Sequence, residues 1–503
     1  MADYYVRTDG NDANDGLADD PARAWRTLQH AADTAATGST IHVRGGTYAA
    51  GLALAATHNG KTLSFVGHGG TVTVSVIYFP AIGDAAEVDA TCVFSFANMT
   101  FLSSSIAAIV RITGEPKLSF TDCAIGNEAT TAAYLFQCST AAAGTPRTLA
   151  LTRCVLYAPR HAISPGNCAA IMLDGCDIAF AIRWEGHALK LDGASVGTVT
   201  VRDCEITQGR AAGSALYALG VTSIGRLTFT GNTVSCSGSG VVADHNVATY
   251  LIDNNTITCD GTSHAIHLGT DDVNAAPNGT AGPMTVSRNR ITVAGENAHC
   301  MLIGHGNSGV EVWGNVLTGG NYGLVVKTDY AHVHHNAMLG RSPLALKGAK
   351  RCAVHHCTAV GTAGQGALEW EAQSEYNSIH DCIFVATGAN TYAVYDVSGN
   401  HQGNRVDRNI YWSSGGAGIA FLNGAEANTI EDIRAAWDTW NEAFAENDDN
   451  SSVVDPLLVN AATGDLRIKL NSPARGTQNP ALPDLSVWNT KGAWEVFSAR
   501  PVR

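Results

Sequence analysis

Ionisable side chains recur at one place in a series of short, similar segments of this 503-residue chain. The segments are Ala188–Asp192, Ala215–Leu219, Gly240–Asp244, Ala265–Gly269, Cys300–Gly304, Gly323–Lys327, Pro343–Lys347 and Ala367–Glu371. Their second and fourth residues are almost always apolar. Side chains alternate across a strand, so the third and fifth then face outward. The fifth position carries Asp192, Asp244, Lys327, Lys347 and Glu371, and the third carries Lys190, His267 and Glu369. Just past the segment ends lie His245, then Asp271 with Asp272, then His305.

Two chemistries fit such a strip. In β-elimination on a uronic-acid polymer, a cation neutralises the carboxylate and a base removes the acidified adjacent proton. Oxygen ligands of grouped carboxylates would hold that cation. Asp244, Asp271 and Asp272 are the expected calcium ligands, with Lys327 or Lys347 as base and His305, Asp271 and Asp272 as further catalytic candidates. A lysine base needs its pKa lowered by burial or by a nearby cation, which two lysines on adjacent coils would supply. The other chemistry is hydrolysis, in which two carboxylates flank the glycosidic oxygen as acid and base. Lys190, His245, His267, Glu369 and Glu371 are expected to contact the substrate. Glu369 and Glu371 share one side of their strand whatever their role.

A second column of residues explains how distant segments come together. Cys123, Cys154, Cys176, Cys204, Asn232, Asn255, Asn289, Asn315, Asn336, Cys357, Cys382 and Asn409 recur roughly 20–35 residues apart. An apolar residue stands three before nearly every one (Phe120, Leu151, Leu173) and another two after (Ile125, Leu156, Ile178). Inward positions around a fixed turn residue describe short strands that bend once per repeat. Such strands cannot bury their apolar face alone, so successive coils must stack. The ladder is expected to be amide on amide, with Cys as a compact substitute. The fold class is therefore all-β, a single-stranded right-handed parallel β-helix. Neighbouring coils about 4.8 Å apart place Asp244, Asp271/Asp272, His305, Lys327 and Lys347 along about 20 Å of one face, the length of several sugar units.

Composition narrows the partners. Fifty-three glycines suit many tight turns. A net charge of −14 argues against nucleic acid or an anionic membrane as the main partner. No apolar run has the length of a membrane span, and no signal peptide precedes Tyr4. Export with a signal removed and a place in a virion both remain open, as do monomer and homotrimer. Of thirteen cysteines, six lie in the ladder column and none forms a C-x-x-C pair, so they read as packing thiols. The doublets His334-His335 and His355-His356 flank the ladder turn. Bonds to nearby carbonyls are the plain expectation for them and a metal site the other. Asp271–Gly282 reads as an insertion that walls a cleft.

The whole chain is expected to be one domain, residues 1–503. Residues 1–50 form an N-terminal cap with a helix at about 21–36, 51–425 the coils, and 426–503 a C-terminal cap. The cap helix would open at Pro21 with Trp25, Leu28, Ala32 and Ala35 on its apolar face. Ile430, Ile433, Trp437, Trp440 and Phe444 mark a second helix, followed by closing strands near 453–457 and 464–468. The stretch from Tyr4 to Tyr48, with its NDG and GTY motifs, resembles the N-terminus of pectate-lyase-like β-helix proteins. Asp455–Gly476 resembles their C-terminal segment. The strip is similar to that of calcium-dependent pectate lyases, which place an Asp, an Asp-Asp and a Lys on nearby coils. It also resembles polygalacturonase-type glycosidases through Asp244, Asp271-Asp272, Gly304-His305-Gly306 and Lys327, although Val325 stands where that family has Arg. The resemblance implies a polysaccharide lyase first and a glycoside hydrolase second. A non-catalytic glycan-binding or viral tail-type adhesin is a third class that the same fold hosts.

Overall fold

The computed structural model describes residues 2–474 except 79–88, 103–107, 113, 128–133, 139–146, 159, 181–185, 192, 209–213, 219–220, 244–245, 262, 271–281, 372, 397–402, 416, 423, 441–447, 462–464 and 470. It divides into two compact units, Met1–Ser237 with Val242–Ala248, and Gly238–Val241 with Thr249–Arg503.

In the first unit each coil contributes three short strands. Lys117–Thr121, Thr148–Thr152, Cys168–Asp174, Ser195–Arg202 and Ser223–Thr230 pair in parallel, coil upon coil. Beyond the ladder residue, Ala124–Ile125, Val155–Ala158, Asp177–Phe180, Glu205–Thr207 and Thr233–Cys236 pair likewise. Tyr134–Cys138, His161–Ser164, Leu189–Lys190 and Ser214–Ala218 form the third stack. The pairings keep Phe120, Leu151, Leu173, Val201 and Phe229 in one fully buried column.

The ladder does more than fill space. Cys176 N–H donates to Cys204 Sγ at 3.4 Å, and Cys204 N–H donates to Asn232 Oδ1 at 3.0 Å. The residue before each ladder position is left-handed: Asp122, Arg153, Gly175, Asp203 and Gly231 have φ of 50–69°. Asn, Asp, His and Gly tolerate that region best, and an arginine there is costlier. Exposed forks brace it, with Arg153 bidentate to Asp122 and Arg202 to Asp174.

The N-terminal helix is Leu28–Thr34, shorter than the expected 21–36. Residues before it are held in non-helical bonds. Trp25 N–H donates to Tyr5 O at 2.9 Å, and Asp12 Oδ1 accepts from Arg26 and Thr27 N–H at 2.8 and 2.9 Å. Thr27 is the N-cap, its hydroxyl accepting from His30 N–H.

The second unit repeats the plan. Asn315 Oδ1 accepts from Asn289 N–H at 3.0 Å, and Asn336 Oδ1 accepts from Asn315 N–H at 3.0 Å. Cys357 N–H donates to Cys382 Sγ at 3.5 Å, and Cys382 N–H to Asn409 Oδ1 at 2.9 Å. A second, shorter ladder runs through Cys352, Asn377 and Asn404. The twelve described cysteines are all buried free thiols. The second helix is Ile430–Trp440, and Phe444 lies outside the described residues. Leu458–Asn460 and Asp465–Ile468 close the unit as an antiparallel pair. Among the described residues no helix is long and apolar enough to cross a membrane.

Candidate functional site

In the second unit the strands His299–Ile303, Tyr322–Val326, Ser342–Lys347, Gly366–Glu371, Tyr392–Asp396 and Ala420–Leu422 stack in register. Met301, Leu324, Leu344, Leu368 and Val394 fill the interior. The opposite parity forms an outer column, Leu302, Val325, Ala345, Glu369, Tyr395 and Phe421, with Lys347 paired to Glu371 beside it. Tyr322 packs over Leu302, Val325 and Ala345, which are themselves buried.

Polar groups converge next to that apolar patch. Lys347 Nζ donates to Tyr322 OH at 3.0 Å, lies 4.2 Å above the Tyr322 ring centroid, and forms an ion pair with Glu371. Ser342 Oγ–H donates to Glu369, whose side chain lies under the surface at 3% exposure. Glu371 is half exposed. Gly366 is required at the start of its strand, because a Cβ there would come within 2.6 Å of Tyr395 Cβ. Tyr395 stacks on Phe421 with centroids 5.4 Å apart and planes 17° apart, and Tyr392 lies 5.5 Å from Phe421. Tyr392 OH donates to Glu426 Oε1 at 2.9 Å. Stacked rings beside fixed charges suit a ligand with both apolar faces and ionised groups.

The charges assign roles. Burial pushes the Lys347 ammonium pKa down, but the hydrogen bonds to Glu371 and Tyr322 outweigh it and leave the pKa raised. Lys347 therefore stays protonated, and the lowered pKa that a lysine base needs is not what this geometry gives it. Burial raises the Tyr322 phenol against the opposing Lys347 contact, and raises Tyr395 together with the charges of Glu369 and Asp396.

The remaining sequence candidates divide three ways. Asp244, His245, Asp271 and Asp272 lie outside the described residues, as does Asp192, so the expected calcium ligands have no described geometry. Lys190 belongs to the first unit, where it pairs with Tyr217. His267, His305 and Lys327 belong to the second. Lys327 follows Val326, which pairs with Leu346, so Lys327 and Lys347 occupy adjacent rungs as expected. His305 is fixed by two backbone bonds to Thr270, at 2.8 and 3.2 Å. His267 pairs with Leu302 and lies edge-on to His264, which stacks on His299 at 4.3 Å; His299 in turn meets Tyr322 edge-on at 5.0 Å. The fold thus gathers Lys347, Glu369 and Glu371, and adds Tyr322, Ser342 and Tyr395, which the sequence reading missed. Tyr322 and Ser342 stand one residue before the aligned segments, and Tyr392–Asp396 continues that alignment by one coil.

The class this defines is the right-handed parallel β-helix. The family model described as "Right handed beta helix region" matches residues 161–338. Among curated proteins none matches the sequence. Solved structures that resemble the chain include the following two. "Crystal structure of pectate lyase Pel9A" does so at 11% identity, covering 98% of this chain and 96% of that one, with a TM-score of 0.22. "The complex structure of XylC with xylose" does so at 10% identity, covering 91% and 87%, with a TM-score of 0.27. Those scores are too low to transfer any chemistry.

Proposed function

We propose that the chain is a carbohydrate-active β-helix enzyme that cleaves an acidic polysaccharide at the Lys347–Glu371 face. The observation that carries this reading is the protonated Lys347 held between Tyr322 and Glu371, beside the stacked Tyr395 and Phe421. The aromatic rings receive sugar faces. Lys347 pairs with a uronate carboxylate, which acidifies the adjacent C–H bond. Drawing Lys347 onto the substrate releases Glu371 to take that proton. The C–H electron pair becomes the new double bond, and the departing glycosidic oxygen takes the Tyr322 hydroxyl proton, leaving a phenolate beside the Lys347 ammonium that the proton on Glu371 later neutralises. Lys347 thus supplies charge and Glu371 the base, which revises the roles expected from sequence. A calcium ion would be held by Asp244, Asp271 and Asp272, where it would add to the neutralisation of the uronate carboxylate.

Glu369 and Glu371, two carboxylates on one side of a strand, favour hydrolysis as the second reading. The test is a panel of acidic and neutral polysaccharides with product mass spectrometry and ultraviolet absorbance. Unsaturated products support elimination, and saturated reducing ends support hydrolysis. Binding without any cleavage supports the adhesin class and refutes both.

A further inference from the structure

The other outward face of the second unit holds a set of side chains that the proposed cleavage does not use. Strands Glu311–Trp313, His332–His334, Ala353–His355 and Ser378–His380 pair in parallel, with Val312, Val333, Val354 and Ile379 buried. Their outward neighbours are Glu311 beside His332 on the next rung, and Trp313, His334, His355 and His380 in a second column. His334 stacks on His355 with centroids 5.1 Å apart, and His332 lies 4.5 and 4.8 Å from those two rings.

Within these doublets the imidazoles bond each other, His334 Nδ1 to His335 Nδ1 at 2.9 Å and His355 Nδ1 to His356 Nδ1 at 2.8 Å. That leaves the Nε2 atoms of His334 and His355 to other partners. His334 Nε2 lies 3.2 Å from Glu311 Oε1, and His355 Nε2 lies 2.6 Å from His332 Nε2. One donor atom from each of Glu311, His332 and His334 falls within 4.8 Å of the others. A tetrahedral ion with bonds of about 2.0–2.1 Å sets its donors about 3.3 Å apart, close to the His334–Glu311 separation.

We propose that Glu311, His332 and His334 bind one divalent transition-metal ion of the zinc class, with the fourth position left to water or a ligand. The donor set of imidazole nitrogens and a carboxylate selects zinc, cobalt, nickel or copper over calcium or magnesium, which prefer all-oxygen shells. His335 backs the site by fixing the His334 ring through Nδ1, as outer partners of ligating histidines do. The ion would bridge two coils, Glu311 on one and His332 with His334 on the next.

The test is isothermal titration of the chelator-stripped full chain with zinc chloride, repeated with calcium chloride present. Cobalt chloride gives an independent sign, since an intense visible band marks a four-coordinate ion held by the protein rather than the hexaaquo ion. One zinc per chain, indifferent to calcium, is expected. H332A/H334A should lose that site by at least about tenfold in affinity, while H380N, outside the donor set, keeps it. Circular dichroism checks the fold of the double variant. If it does not fold, E311Q replaces it, because Glu311 is half-buried at the surface and leaves the Val312 column untouched. A wild-type chain that binds zinc no better than the folded double variant overturns the proposal, as does an H380N variant that loses the site equally.

Discussion

Removing one amide from the ladder tests the register on which the candidate site depends. Asn315 is fully buried. Its Oδ1 accepts from Asn289 N–H at 3.0 Å and Asn289 Nδ2 at 2.9 Å. Its Nδ2 donates to Val286 O, Trp313 O and Asn336 Oδ1 at 2.9–3.1 Å. In Asn315→Ala the Asn289 amide side chain keeps Ile252 O, and Asn336 Oδ1 keeps the Asn315 backbone N–H. The Asn289 backbone N–H loses its acceptor, and a buried orphan costs about 1–3 kcal/mol. A small void adds on the order of 1 kcal/mol, so the expected loss is about 2–4 kcal/mol. Asn315→Cys should lose less. At natural cysteine rungs Sγ accepts from the backbone N–H one coil away at 3.4–3.5 Å, so a thiol restores the missing acceptor. Urea unfolding followed by circular dichroism gives the comparison. A shift below about 0.5 kcal/mol for the alanine variant, or a cysteine variant less stable than the alanine one, would refute the ladder argument.

Lys347→Met and Glu371→Gln should each lower kcat/KM on the cleaved polysaccharide by about 10²–10⁴-fold; undiminished rates place the chemistry elsewhere. Tyr395→Ala should raise KM by up to about tenfold with kcat little changed, since it removes one stacking ring. In the first unit His161 is buried, and its Nδ1 accepts from His187 N–H at 3.1 Å. Burial first, then His187, Lys190 and Arg160, pull its pKa from 6.5 down to about 3. The unfolded chain binds that proton more readily, so stability is whole above about pH 6.5 and falls as the pH drops toward 3, by at most about 1.4 kcal/mol per pH unit. His161→Phe should flatten that slope, and an identical slope in wild type and variant rejects the assignment.

The sequence alone determined the coil and its rungs. A ladder residue with apolar neighbours at minus three and plus two is a local pattern, and only stacked, in-register strands bury it. That same period puts Lys347 beside Glu371, and Lys327 and Lys347 on adjacent rungs. Local pattern also misled where a distant group competed. The cap helix begins at Leu28 because Asp12 and Tyr5 capture the backbone of Trp25, Arg26 and Thr27. The side-chain partnerships were decided by tertiary structure. Tyr322 reaches Lys347 from a neighbouring coil 25 residues away, and Ser342 reaches Glu369 across 27. Four imidazoles pair off with each other. Which atoms meet across coils depends on rotamers and on where each turn ends, and neither is encoded in a repeat that fixes only the rise from one winding to the next.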